Sequence, residues 1–237
     1  MRLMELTPRL HSVAELVPQG AKFADIGTDH AYLPVWLLQR GIITEALACD
    51  LRRGPLDRAR GTAEKYGLTS CMDFRLCDGL AGIAPGEADT IAIAGMGGET
   101  IAAILAAAPW VWQKSCLLLL QPMSAQPYLR RWLQEHGYTI AREILSREGT
   151  TIYTTFQVKA GPMAELTPGQ LWAGRQSRGE DAPLREAYLD RLIDQTSRAV
   201  EGLRRSTRPA DQGRLEELER VHTDLVHIRE EWLSWQR

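Results

Sequence analysis

The chain has 237 residues, enough for one large domain or a domain with an appendage. Its hydrophobic content of 44% and charged content of 24% are those of an ordinary globular protein. The formal net charge of -2 excludes a basic body that holds nucleic acid by its overall field, so any such binding must use a local patch.

The N-terminal MRLMELTPRL has no apolar signal core, and the longest apolar run, around SCLLLLQPM, is too short to span a bilayer. A cytoplasmic protein without a membrane segment is expected. In chain order, KFADIG (22–27) reads as a buried strand and AYLPVWLLQR as a helix, with Pro34 in its first turn. EALACD (45–50) is a second strand, followed by a helix over RRGPLDRARGTAEKYG that stops at Gly67. MDFRLCDG (72–79) and ADTIAIAGMGG (88–98) are the third and fourth strands. ETIAAILAAA is a helix, SCLLLLQP (115–122) a strand covered on both faces, and AQPYLRRWLQEHG a helix ending at Gly137. YTIAREILSR and TIYTTFQVKA form an antiparallel hairpin around a short EGT turn. Strand and helix thus alternate over 1–160, which predicts an α/β sheet with helices on both faces.

From 161 to 237 the pattern changes. GPMAELTPGQLWAGRQSRGEDAPL, rich in Gly, Pro and charge, reads as a linker or irregular wrap. Two amphipathic stretches follow, one carrying Leu189, Leu192, Thr196, Ala199 and Leu203, the other Leu215, Leu218, Val221, Leu225, Ile228, Trp232 and Trp235. The turn RSTRPADQG lies between them, so an antiparallel helical hairpin, or coiled coil, is expected. It either packs on the main domain or protrudes toward a large partner.

The four cysteines, Cys49, Cys71, Cys77 and Cys116, include no C-x-x-C pair and read as buried free thiols; the five histidines lack metal-ligand spacing. No metal is expected.

In open parallel sheets, ligands bind at the carboxyl ends of the strands. Here the first three predicted strands end in acids: Asp25 before Gly27, Asp50, and Asp78 before Gly79. The fourth ends in Gly95, Met96, Gly97 and Gly98. A phosphate-binding turn wants several glycines and no carboxylate. DIGTDHA has one glycine and places Asp29 where a pyrophosphate would lie, which disfavours an NAD-dependent oxidoreductase. S-adenosyl-L-methionine (SAM) inverts the requirement, because it carries a sulfonium, an ammonium and two ribose hydroxyls but no phosphate. Asp25 and Asp29 suit its amino-acid end, Asp50 its ribose and Asp78 its adenine amine, while Gly27 allows close backbone approach. Each also has a plainer reading: Asp50 as a helix N-terminal carboxylate, Asp78 as a turn former, His30 as a capping or packing residue.

Together LTPRLHSVAELVPQGAKFADIGTDHAYLP, DLRRGPLDRA, DGL, DTIAIAGMGG and LLLLQPM resemble the bacterial tRNA (adenine-22-N1)-methyltransferase family, strongly over residues 3 to 160. The resemblance implies a class I, Rossmann-like methyltransferase domain that uses SAM, acts on N1 of an adenine in the D-arm region of tRNA, and carries a C-terminal coiled coil. It further implies that Asp25, Gly27, Asp29, His30 and Tyr32 line the cofactor site, that Asp50 takes the ribose, Asp78 and Gly79 the adenine, and that Gly95, Met96 and Gly97 lie between cofactor and target base.

Adenine N1 has an in-plane lone pair and no proton, so the enzyme must mainly align it and tolerate the cationic product. Asp29 is the candidate catalytic carboxylate. Tyr32 either stacks on a base or cofactor or packs in the core. Arg9, Arg52, Arg53, Arg58, Arg60, Arg130 and Arg131 are candidate phosphate contacts on the body, and Arg204, Arg205 and Arg208 on the hairpin tip. The alternatives are a SAM-dependent methyltransferase of a small molecule or protein, and a non-catalytic SAM-binding docking protein. Monomer and weak homodimer both stay open.

Overall fold

A computed structural model describes residues 3–206, 208 and 210–236. The chain divides into two compact units, Met1–Ala125 with Trp132–Met163, and Gln126–Arg131 with Ala164–Arg237.

The first unit is built on a seven-stranded sheet of order β3-β2-β1-β4-β5-β7-β6. Its strands are β1 (Phe23–Ile26), β2 (Ala46–Asp50), β3 (Met72–Leu76), β4 (Thr90–Gly97), β5 (Leu117–Ser124), β6 (Tyr138–Glu148) and β7 (Thr151–Ala160). The first five are parallel; β7 runs antiparallel to β5, and β6 antiparallel to β7. Chain order reverses between β1 and β4, which makes their carboxyl ends the topological switch point. Connecting helices are α1 (Pro8–Ala14), α2 (Tyr32–Gln39), α3 (Arg53–Lys65), α4 (Gly98–Ala106), α5 (Trp110–Gln113) and α6 (Gln126–Glu135).

The expected α/β alternation is present, and the β6–β7 hairpin forms. The periodicity could not order its strands. β7 buries Ile152, Thr154, Phe156 and Val158 and takes the inner place, whereas β6 exposes Arg142 and Arg147 and becomes the edge. A charged edge strand resists pairing with another chain. Helix α1 was not read from the sequence. It starts at Pro8, behind Thr7 in extended conformation, and lies against β6 and β7, where the Ser12 and Thr155 hydroxyls share a 2.8 Å hydrogen bond. Of the thiols, Cys49 and Cys116 are buried as expected, but Cys71 and Cys77 are half-exposed; all four are free. Cys71 falls in a 3₁₀ turn (Thr69–Cys71) and Cys77 just past β3, both outside the strands.

In the second unit, helices α8 (Arg185–Arg204) and α9 (Ala210–Trp235) pack side by side through Leu189, Leu192, Thr196, Val200, Val221, Leu225 and Ile228. Thr207 and Pro209 of the connecting RSTRPADQG lie outside the described residues. The segment expected to be an irregular linker holds helix α7 (Pro168–Ala173), closed by a capping box between Thr167 and Gln170. Its first turn is fixed by Asp224, whose carboxylate accepts from the Gly169 N–H at 2.6 Å. Its last turn is fixed by two buried arginines. Arg130 donates to the carbonyls of Leu171 and Trp172 at 2.8 and 2.9 Å, and Arg185 to those of Ala173 and Gly174 at 2.6 and 2.9 Å. An acid at the N-terminal end and cations at the C-terminal end satisfy the free backbone groups of so short a helix.

Candidate functional site

Strand β1 leads into a turn that no regular backbone could make. Gly27, Asp29 and Ala31 have φ of 74°, 47° and 55°. Glycine adopts this region freely and aspartate tolerates it. The turn is pinned to β2, because the Gly27 and Thr28 N–H groups both donate to the Cys49 carbonyl at 2.9 and 3.0 Å. Helix α2 then starts at Tyr32 without a side-chain cap.

The acids at the strand ends have different environments. Asp25 is buried and accepts from the Thr28 hydroxyl at 2.7 Å. Burial pushes its carboxyl up to about 6; the Thr28 hydrogen bond opposes that shift and the Asp50 charge adds to it. Asp50 is 7% exposed and accepts backbone N–H groups of Arg52 at 2.9 Å and Asp29 at 3.4 Å. Asp29 is half-exposed, with its carboxylate 2.5 Å from Arg58 and 3.6 Å from His30 Nε2. His30 stacks on Tyr32 with ring centroids 5.0 Å apart. Asp78 is exposed in the loop after β3.

At the end of β4 the pairing with β5 becomes irregular between Ala94 and Gly97. That irregularity carries Met96 over Gly27. Gly95, at φ 79°, donates its N–H to Gln121 Oε1 at 3.1 Å. Gln121 is fully buried, and the same oxygen accepts from Arg9 Nη1 at 2.8 Å.

These pieces meet in one cleft of about 690 Å³. Asp25, Gly27, Asp29, His30 and Tyr32 line it, as do Asp50, Asp78, Gly79, Gly95 and Met96. Gly97 does not; it precedes α4, with Ser124 Oγ 3.2 Å from where its Cβ would stand. The sequence reading missed Thr7 and Leu10, which reach the cleft from the N-terminal segment, and Thr100 and Ile104 from α4, and it named Arg9, which also lines the cleft, only as a phosphate contact. A Pro at the head of PRLHSVA signals a helix start, but nothing local says that this helix reaches the strand ends. Chemically the cleft offers four carboxylates and, in the β1–α2 turn, a single glycine, which suits a cationic ligand with vicinal hydroxyls and disfavours a pyrophosphate.

The candidate phosphate contacts divide. Arg52 and Arg53 are exposed at the head of α3. Arg58 is held by Asp29, and Arg60 lies 4.7 Å over the Phe74 ring while donating to the Phe74 carbonyl. Arg130 has no accessible surface, so the expectation that it meets phosphate is corrected: its guanidinium closes α7 instead. Arg131 is exposed and pairs with Glu217 at 3.6 Å.

Comparison with known proteins agrees with this geometry. A family model described as a methyltransferase domain matches residues 6–156. The tRNA (adenine(22)-N(1))-methyltransferase of Bacillus subtilis (strain 168) is 40% identical over 161 residues, 68% of each chain. The crystal structure of the B. subtilis M1A22 tRNA methyltransferase TrmK superposes with a TM-score of 0.82 at 31% identity, covering 95% of this chain and 99% of that one. Streptococcus pneumoniae Sp1610 in complex with S-adenosyl-L-methionine gives a TM-score of 0.78 at 32% identity, covering 92% of this chain and all of the other. Matched over two thirds of its length in sequence and nearly all of it in structure, the chain belongs to the tRNA (adenine(22)-N(1))-methyltransferase family.

Proposed function

We propose that this protein is a SAM-dependent tRNA methyltransferase that forms N1-methyladenosine at adenine 22, in the D-arm region. The observation that carries this reading is the convergence of Asp25, Asp29, Asp50 and Asp78 with Gly27 and Met96 in one cleft at the switch point. The donor set fits the cofactor. Asp50 is buried, held by backbone N–H groups, and able to accept both ribose hydroxyls. Asp78 and Gly79 sit where the adenine amine would be met, and Asp25, Asp29, His30 and Tyr32 face the amino-acid end. Bound there, SAM supplies an electrophilic methyl group.

The chain's own task is to orient and to exclude water. Adenine N1 needs no base, because it carries a lone pair and no proton. Gly95 and Met96 form the wall between cofactor and base, Gly97 leads on into α4, and the backbone of Gly95 is set by buried Gln121. Asp29 is the carboxylate nearest to solvent in the β1–α2 turn, and we assign it to the positive charge that appears on the methylated base. Its carboxylate is held toward the turn by the ion pair with Arg58. A stacked adenine must be moved out of its helix, at about a few kcal/mol. The half-exposed ring of Tyr32 offers it a stacking surface.

Residues 1–160 are the methyltransferase domain in this reading, and 161–237 the linker and arm. We place the protein in the cytoplasm with its tRNA substrate; among the described residues no helix is long and apolar enough to cross a membrane. The test is transfer of labelled methyl from SAM to unmodified tRNA transcripts, followed by nucleoside analysis. The wild type should yield N1-methyladenosine at position 22, and Asp29→Ala should lose it even at SAM concentrations that saturate the weakened cofactor site. Label appearing in no tRNA, despite SAM binding, would move the activity to a small molecule or a protein.

A further inference from the structure

A second cavity opens beside the cofactor cleft, and methyl transfer as described above does not use it. It measures about 300 Å³, at the small end of ligand pockets, and shares Thr7, Leu10 and Tyr32 with the cleft. We propose, resting on the tRNA reading above, that this side cavity holds the nucleotide next to the target adenine and so helps to select the site on tRNA.

The walls are fixed on both sides. One wall is the N-terminal segment, which is pinned at each end. The Met4 N–H donates to Gln39 Oε1 at 2.7 Å, and the Arg9 N–H to Glu148 Oε1 at 3.0 Å. The other wall is the last turn of α3, with Thr62 and Lys65, and Tyr66 just beyond it. Met4 and Tyr66 are buried, and Leu6 and Leu10 half-buried, which makes the floor apolar. The rim is polar: Glu5 and Lys65 are exposed and Thr62 is half-exposed.

An apolar floor with a polar rim fits a nucleotide. An unstacked base lays its face on apolar and aromatic surface and offers its edge for hydrogen bonds. Glu5 can accept from a base amine or ring N–H. The Thr62 hydroxyl donates to the Arg58 carbonyl at 3.1 Å, which leaves its oxygen to accept as well. Lys65 supplies the charge for a phosphate. It is the one cation lining the cavity, its Nζ lies 5.7 Å from the Tyr66 ring centroid, and among the described residues it makes no ion pair.

Continuity with the cleft identifies the occupant. The four acids that suit the cofactor all line the larger cleft, and no strand end reaches the side cavity. The target adenine must leave its stack to meet the methyl group, which also strips its neighbour of a stacking partner. That neighbour is joined to the target through a single phosphate, so it must come to rest beside Tyr32, where the side cavity begins.

The experiment is steady-state methyl transfer from labelled SAM to unmodified tRNA transcripts, with two variants that touch only the side cavity. Thr62→Trp fills it and should raise KM for tRNA by about tenfold, with kcat and SAM affinity unchanged. Lys65→Ala should raise KM by about three- to tenfold and lower its salt dependence. Transcripts with an abasic residue on one side or the other of adenine 22 then identify the occupant. One of the two should raise the wild-type KM by a similar factor, and on that transcript Thr62→Trp should add nothing further. Lys65→Ala carries the test should the tryptophan variant unfold. Wild-type KM in both variants overturns the proposal, as do penalties that multiply on both abasic transcripts. Loss of SAM affinity in Thr62→Trp with an intact melt also overturns it, and would make the cavity part of the cofactor site. A wild type that binds SAM but methylates no tRNA overturns the tRNA reading itself, which is distinct from an active enzyme indifferent to the two variants.

Discussion

Met96 lies over Gly27: its thioether methyl occupies the place of a missing side chain, 2.2 Å from where a Cβ on Gly27 would stand. Gly27 also has φ of 74°. The end of β1 and the end of β4 are thus fitted to each other through a hydrogen atom. Gly27→Ala adds left-handed strain of about 1 kcal/mol and displaces Met96. Because Met96 can swing away, the fold should survive with a small fall in melting temperature. Methyl transfer should fall much further, by about tenfold or more in kcat/KM, since the displaced side chain enters the reacting volume. Equal effects on stability and turnover would show that the contact serves folding alone.

The carboxyl of Asp25, pushed up from 3.8 to about 6 chiefly by burial, makes both stability and binding depend on pH. Between those two values the folded chain keeps a proton that the unfolded chain has released. The group therefore stabilises the fold at low pH, by on the order of 2 to 3 kcal/mol, and this contribution disappears as pH rises through 6. Cofactor binding has the opposite slope. A cation beside Asp25 favours the ionised form, so SAM affinity should weaken by up to about tenfold per unit below pH 6 and level off above it. Titrations in buffers of different ionisation enthalpy should record proton release at pH 5.5 and none at pH 8. Asp25→Asn should remove both dependences.

Arg130 and Arg185 close helix α7, and both are buried. Arg130→Ala strands the Leu171 and Trp172 carbonyls and should cost about 3 kcal/mol or more. Arg131→Ala, its exposed neighbour, should cost less than about 1 kcal/mol. Thermal unfolding separates them. If Arg130→Ala instead left the melt unchanged and lowered the salt slope of tRNA binding, Arg130 would be a phosphate contact after all.

Arg204, Arg205 and Arg208 lie at the hairpin tip and are exposed, Arg204 with its guanidinium on Glu219 at 2.7 Å. Replacing all three with alanine should weaken tRNA binding and flatten its dependence on log salt by about 0.7 to 0.9 per phosphate contact removed. SAM affinity should not move. Unchanged tRNA affinity at low salt would retire the tip as a contact.

Much of the site was legible because its signals are local. A strand that ends in an acid, and a helix that begins a few residues later, are read from neighbours in the chain; ten of the eleven residues singled out line the cleft. Gly97 lies outside that lining, since the irregularity in β4 carries Met96 over Gly27 and Gly97 stands at the start of α4. Helix α7 was hidden because its stability comes from Asp224, Arg130 and Arg185, far away in sequence, and hardly from its six residues.

The sequence by itself determined the alternation of strand and helix, the amphipathic hairpin, and the acidic strand ends that choose a cationic ligand over a phosphate. Each depends on a repeat of two to four residues or on a single turn. Only the tertiary structure decided that β7 lies inside β6, that Arg130 is structural, that Asp25 holds its proton near pH 6, and that Arg9 joins the cleft. Those facts are set by burial and by contacts such as Arg9 with Gln121, 112 positions apart, and no periodicity along a chain encodes which distant side chains will share a desolvated volume.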